Sequence, residues 1–267
     1  MAIRIVQSKQ NPRIKELRGA LMRPGRGENE PIALEGMHLV SEALQSGIEL
    51  AAIFVAQGHE QLLARLLGEL TIPEATEVLA VPYELLAEAV TTETPQPIAA
   101  LAKPRHWPWE SLFGSTALVM VLSGIQDPGN LGTILRSAEA FGATGVICLP
   151  GTVTRWNPKA MRASAGSVFR LPVIASSEAK ALQHLREAGI QTYAAMAHDA
   201  NPVGEISLSG PAAILIGSEG AGLSPELAAQ CDARITIPCP GPVESLNAAV
   251  AASVLLYEAS RQRQARR

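Results

Sequence analysis

Residues 117–149 read ALVMVL SGIQDPGN LGTILRSAEAF GAT GVICL, and this stretch decides the fold. The opening six residues form an unbroken apolar run of strand length, the pattern of a strand covered on both faces. After a turn holding Gly124, Pro128 and Gly129, apolar residues recur at Leu131, Ile134, Ala138 and Phe141. That is helical spacing, and Gly142 supplies its stop. Residues 145–149 then read as a second buried strand. Downstream the alternation repeats, with strands predicted at 169–174, 191–196, 212–216 and 234–237. Helices are predicted at 158–165, 177–188 and 224–230, and a long Ala-rich helix at 245–261. Strands interleaved with helices predict an α/β domain with a parallel sheet over 117–267.

Upstream, 50–55, 78–81 and 98–103 read as strands, and 35–45, 60–70 and 83–89 as helices. They predict a smaller α/β domain over 1–103, with the proline-bearing segment 104–116 as linker. Hydrophobic types make up 47% of the 267 residues and charged types 18%, enough for a packed core and against disorder. With 22 basic and 25 acidic residues the net charge is −3, so affinity for a polyanion has to come from local patches. Two such zones exist. Lys9, Arg13, Lys15 and Arg18 face one carboxylate, Glu16, over residues 8–19. Between Phe141 and Ser177 there is no carboxylate, while Arg155, Lys159, Arg162 and Arg170 appear.

No stretch approaches the roughly 20 apolar residues of a membrane span, and charges occupy the place where a signal peptide has its apolar run. Cys148, Cys231 and Cys239 form no CxxC and cannot all pair, which places the chain in a reducing cytoplasm. The five histidines are scattered without ligand spacing, so no metal site is expected.

Three glycine-containing segments each follow a predicted strand and precede a helix: 124–132, 216–224 and 237–247. In a parallel sheet such loops share the carboxyl edge, where ligands bind, and glycine lets backbone approach a ligand without a Cβ in the way. Taken singly, they are ordinary turns. In the first, Asn130 reads as the N-cap of the next helix, and Arg136 follows on its polar side. A guanidinium there is either a solvated helix residue or a fork for phosphate or a forming oxyanion. In the second, Glu219 stands amid glycines, either bonding nearby N–H groups or holding an arginine. The third leads into Ser245, Leu246 and Asn247, where Ser245 by itself reads as a helix cap. GxGxxG, GxxxxGK[ST], HExxH and GxSxG are all absent.

Asp127-Pro-Gly-Asn130-Leu-Gly with Arg136, Ile216-Gly-Ser-Glu219-Gly, and Ile237-Pro through Ser245-Leu-Asn247 together resemble the three motifs of the SpoU (TrmH) branch of the SPOUT RNA methyltransferases. The resemblance spans about 117–257. More loosely, Ser8-Lys-Gln-Asn-Pro-Arg-Ile-Lys15 and Leu34-Glu-Gly-Met-His-Leu-Val40 resemble the family's L30e-like RNA-binding domain. The resemblance implies a trefoil knot in the C-terminal domain, S-adenosylmethionine as cofactor with contacts from Gly217, Ile237 and Leu246, and a homodimer. It implies ribose 2′-O-methylation of RNA with Arg136 central, Asn130 and Glu219 orienting it, and Ser245 and Asn247 holding the ribose or shaping the cofactor loop. Lys9, Arg13, Lys15 and Arg162 are the expected RNA contacts. Ribosomal RNA of the large subunit is the preferred substrate. Transfer RNA methylation, a non-catalytic RNA-binding assembly factor and, more remotely, a nucleotide-dependent oxidoreductase are the competing readings.

Overall fold

The computed structural model describes residues 3–25, 27, 29–90, 94–218, 220–242 and 245–265. Its contacts divide the chain into two compact units. One runs as far as Arg105 and takes in Thr154–Phe169; the other consists of His106–Val153 and the chain from Arg170 onward.

In the first unit the elements are β1 (Ile3–Ile5), α1 (Pro12–Met22), β2 (Ile32–Glu35), α2 (Met37–Gln45), β3 (Leu50–Ala56), α3 (Gln61–Glu69), β4 (Glu77–Val81), α4 (Tyr83–Ala89) and β5 (Ile98–Ala102). The sheet order is β1-β4-β3-β5-β2. β1, β4 and β3 run parallel, and β5 pairs antiparallel with both β3 and β2. The basic stretch after Ser8 is helix α1: the Asn11 side chain caps it by accepting from the Arg13 N–H at 2.9 Å, Pro12 stands in the first turn, and Ile14, Leu17 and Leu21 face the core. The helix expected from residue 35 starts later. Ile32–Glu35 is a fully buried strand on β5, and Gly36, at φ +93°, turns the chain into α2.

The second half of the chain adds β6 (Leu118–Leu122), α5 (Pro128–Ala140), β7 (Gly145–Cys148), α6 (Pro158–Ala163), α7 (Ser167–Arg170), β8 (Val173–Ala175), α8 (Glu178–Glu187), β9 (Gln191–Ala195), β10 (Asn201–Pro202), β11 (Ala212–Ile216), α9 (Pro225–Ala229), β12 (Ala233–Thr236) and α10 (Ala248–Gln264). Seven strands form one sheet in the order β10-β12-β9-β11-β6-β7-β8, and every pairing is parallel. β6 and β11 lie at its centre and are buried along their whole length, which is why both read as continuous apolar runs.

One predicted strand is corrected. Phe169 lies in α7, and the strand is confined to Val173–Ala175. Pro172 has no N–H for the ladder and disfavours helix at Leu171, so the chain changes state there; the Pro172 carbonyl instead accepts from Val146 N–H at 2.8 Å. α10 begins at Ala248, three residues later than expected, and packs along α5. Ala248, Ala249, Ala252, Leu255, Leu256 and Ala259 are its buried face, and each fully buried leucine contributes roughly 1.5–3 kcal/mol. Its far end is fastened to the same unit by Arg263, which donates to the carbonyls of Thr116 (2.6 Å), Gly210 (2.7 Å), Leu208 (2.9 Å) and Ala117 (2.9 Å).

Candidate active site

Because the large sheet is wholly parallel, the turns after β6, β11 and β12 leave at one edge. β6 and β11 are neighbours with Leu122 opposite Ile216, and Ser123 N–H still reaches the Ile216 carbonyl at 2.9 Å before the two chains part. β12 lies one strand beyond, across β9.

The first turn runs into α5. Asp127, not Asn130, is the N-cap: its carboxylate accepts from Gly129 N–H at 2.6 Å, and Pro128 follows in the first turn. Proline explains the choice, since it suits the position right after the cap, where no N–H is needed. Thr152, just after β7, braces this turn. Its hydroxyl donates to the Leu122 carbonyl at 3.0 Å, while Val153 N–H bonds the Ile125 carbonyl at 2.8 Å. Sequence reasoning missed Thr152. Its only signal was a hydroxyl beside Gly151, whose φ of +82° brings it close to Gly124 at φ +70°.

Asn130 instead meets the third loop. Its Oδ1 accepts from Asn247 Nδ2 at 3.3 Å. Asn247 is the N-cap of α10, and its own Oδ1 accepts from Ala249 N–H (2.9 Å) and Val250 N–H (3.2 Å). Capping therefore fixes the amide orientation and turns its NH₂ toward Asn130. Ser245 lies exposed two residues before that cap, so the cap reading passes from Ser245 to Asn247.

The second loop doubles back on itself. Gly222 N–H donates to the Ser218 carbonyl at 2.9 Å, and a Cβ at Gly217 would lie 2.0 Å from the carbonyl carbon of Gly222. Only glycine fits at 217. Glu219 lies outside the described residues. Ile237 and Leu246 are half-buried at the two ends of the third loop. Thus Gly217, Ile237 and Leu246 stand on two loops of one sheet edge, and Asn130 joins the third loop to the first.

Arg136 is not drawn into that junction. It is exposed on α5, on the side away from Leu131, Ile134, Leu135 and Ala138. Six residues beyond Asn130 place it about 9 Å along the helix axis from that residue. Of the expected RNA contacts, Lys9 pairs with Glu88. Arg13 donates from Nε to Glu77 and from Nη1 to Glu16, each at 2.8 Å, and the bonds to Glu16 and then Glu77 raise its pKa above the ordinary arginine value. Lys15 and Arg162 are exposed. Among the described residues no group of three or more His, Cys, Asp or Glu side chains could hold a metal ion, and no helix is long and apolar enough to cross a membrane.

An all-parallel sheet with three loops at its carboxyl edge is the framework of an α/β ligand-binding protein, and residues 117–257 match the SpoU rRNA Methylase family. The chain belongs to that family and is an RNA methyltransferase. Residues 11–100 match the MRM3-like substrate binding domain. Among similar proteins is the 23S rRNA (guanosine(2553)-2′-O)-methyltransferase RlmP of Bacillus subtilis, 33% identical over 94% of this chain and 97% of its own. The crystal structure of an AdoMet-bound rRNA methyltransferase from Sinorhizobium meliloti is similar at TM-score 0.83 and 31% identity, covering 97% of this chain and 98% of that one. The SpoU methyltransferase AviRb of Streptomyces viridochromogenes, in complex with AdoMet, gives TM-score 0.84 at 29% identity, covering 96% and 99%.

Proposed function

We propose that the protein transfers a methyl group from S-adenosylmethionine to a ribose 2′-hydroxyl of structured RNA, with large-subunit ribosomal RNA as substrate. The observation that carries this reading is the Asn247–Asn130 bond, which ties the third loop to the first at the carboxyl edge of the sheet. The relatives bound to AdoMet and the 23S rRNA 2′-O-methyltransferase support it.

The residues present fit the cofactor. Gly217 carries no side chain at the start of the second loop, where that loop packs against its own backbone, and Ile237 and Leu246 offer half-buried apolar surface at the ends of the third. When bound, S-adenosylmethionine supplies a methyl group activated by a sulfonium. Asn130 and Glu219 orient Arg136, and Ser245 and Asn247 hold the ribose or shape the cofactor loop. The Arg136 guanidinium offers hydrogen-bond donors and no acceptor. It therefore acts by stabilising the charge that grows on the 2′-oxygen as that oxygen's proton passes to solvent water, not as a literal base.

The working form is a homodimer. Arg136 sits far along α5 from its own loops, and α10 leaves Val250, Val254 and Tyr257 exposed in a row at i, i+4 and i+7, with the Tyr257 ring edge-on to Phe141 at 5.7 Å. A second copy covering that row brings an arginine to each site. The domains are an L30e-like RNA-binding domain at 1–103, a linker at 104–116 and a knotted methyltransferase domain along 117–267, of which Thr154–Phe169 packs with the first unit, in a cytoplasmic protein. The test is methyl transfer to unmodified 23S rRNA transcript, followed by mapping of 2′-O-methyl sites. One methylated ribose is the expected result. Transfer only to tRNA would move the substrate, and absence of any heat on titrating S-adenosylmethionine would make the protein a binding module.

A further inference from the structure

Thr154–Phe169 lies in the chain between β7 and β8 of the large sheet, yet its contacts belong to the first unit. It is fastened there at both ends. At its start, the loop after α1 presses on it: Gly25, at φ +69°, has no room for a Cβ, which would lie 2.5 Å from Thr154 Oγ1 and 3.2 Å from the Trp156 ring. At its finish, Arg105 donates from Nη1 to the Phe169 carbonyl at 3.3 Å and from Nη2 to the carbonyls of Ser46 (2.7 Å) and Gly47 (3.0 Å) at the C-terminal end of α2. Between these points α6 packs on β2, burying Ala160 and Met161 and leaving Lys159 and Arg162 exposed.

The segment itself carries charge of one sign. No Asp or Glu occurs from 140 to 177. Arg155 lies 4.5 Å above the Trp156 ring and donates to the Arg105 carbonyl at 3.1 Å, so its guanidinium is held in a defined plane. The loop that touches Thr154 carries Arg23, and the helix before it exposes Arg18. In a protein of net charge −3, this concentration of cations marks a polyanion track.

We propose that Thr154–Phe169 completes the RNA-binding surface of the first unit, and that Arg155, Lys159 and Arg162 continue a line of phosphate contacts begun by Arg18 and Arg23. The inference rests on the RNA-methyltransferase reading and adds to it a binding element outside residues 11–100. Phosphate contacts release counterions, so each one lost lowers the slope of log K against log salt by about 0.7–0.9.

The experiment compares full-length protein with a Lys159→Gln/Arg162→Gln variant and a charge-matched Lys180→Gln/Arg186→Gln control on α8. The probe is 23S rRNA transcript, titrated between 50 and 200 mM salt. Both changed α6 side chains are exposed, and melting curves confirm that the variants fold. The α6 variant is expected to lose roughly 1.4–1.8 from the slope and at least about tenfold in affinity near 100 mM salt, with S-adenosylmethionine affinity unchanged. The control keeps the wild-type slope. An α6 variant matching the control overturns the proposal while the enzymatic reading stands. Wild-type protein with no salt-dependent RNA binding overturns both.

Discussion

Gly217→Ala tests the proposed cofactor-binding role of the second loop directly. The added methyl would lie 2.0 Å from the carbonyl carbon of Gly222, 2.1 Å from its oxygen and 2.2 Å from Leu223 N, all backbone atoms. Ordinary carbon contacts lie near 3.5–4 Å, so the turn must move by more than about 1 Å. Overpacking of this kind costs about 1–3 kcal/mol. Displacing Gly222 also strains its 2.9 Å bond to the Ser218 carbonyl, worth about 0.5–1.5 kcal/mol. A loss of about 2–4 kcal/mol lowers the melting temperature by roughly 4–16 °C at about 2–4 °C per kcal/mol. If the turn holds the cofactor as proposed, the dissociation constant for S-adenosylmethionine should rise at least about tenfold, the equivalent of roughly 1.4 kcal/mol. Gly220→Ala is the control: nothing lies within 4 Å of a Cβ there, so its stability should stay within about 0.5 kcal/mol of wild type. Calorimetric titration and thermal melting give both quantities. Wild-type cofactor affinity in Gly217→Ala would refute the proposed cofactor-binding role of this loop, and equal damage from Gly220→Ala would refute the steric reasoning.

Arg136→Ala should cut kcat by about 10²–10³, the scale of a lost oxyanion donor. Cofactor affinity and melting temperature should hold, because the residue is exposed; single-turnover assays and melting curves check this. Asn247→Ala removes a cap with two N–H acceptances and should cost about 1 kcal/mol, whereas Asn247→Asp keeps the cap, loses the donor to Asn130 and should lose activity without losing stability in parallel melting and methylation assays. Arg263→Gln leaves the four carbonyls around its guanidinium without that charge and should cost about 2–3 kcal/mol in urea unfolding. Asp232 accepts from Thr192 N–H at 2.8 Å and from its hydroxyl at 2.7 Å, bonds that hold its pKa below the ordinary aspartate value. A depressed carboxylate adds stability that is present above the unfolded pKa, near 3.9, and is lost as pH falls through the folded value. Asp232→Asn should therefore melt below wild type at pH 7, with the gap closing below about pH 4.

What the sequence disclosed and what it withheld follow one physical division. Residues 118–122 and 212–216 were legible because strands buried on both faces are apolar at every position, a local property. Ser177 and Ser224 announced α8 and α9 because a cap acts within three residues of itself. Asp127 and Asn130 are two good caps three residues apart, and only the proline between them separates cap from first-turn residue. Ile32–Glu35 was missed as a strand because its partner, Ile98–Ala102, lies more than sixty residues away and supplies the pairing. Thr154–Phe169 shows the same limit at the level of domains. Its buried Trp156, Met161 and Phe169 are what a core on either unit would accept, so composition cannot state its allegiance. The deciding contacts are Gly25 against Thr154 and the Arg105 guanidinium against Phe169, each spanning at least sixty residues of chain. The site divides likewise. Gly217 was legible as a turn, but the demand for glycine there arises from Gly222 folding back within 2.0 Å. Arg136 was legible only as a polar position on a helix, and the structure leaves it exposed there.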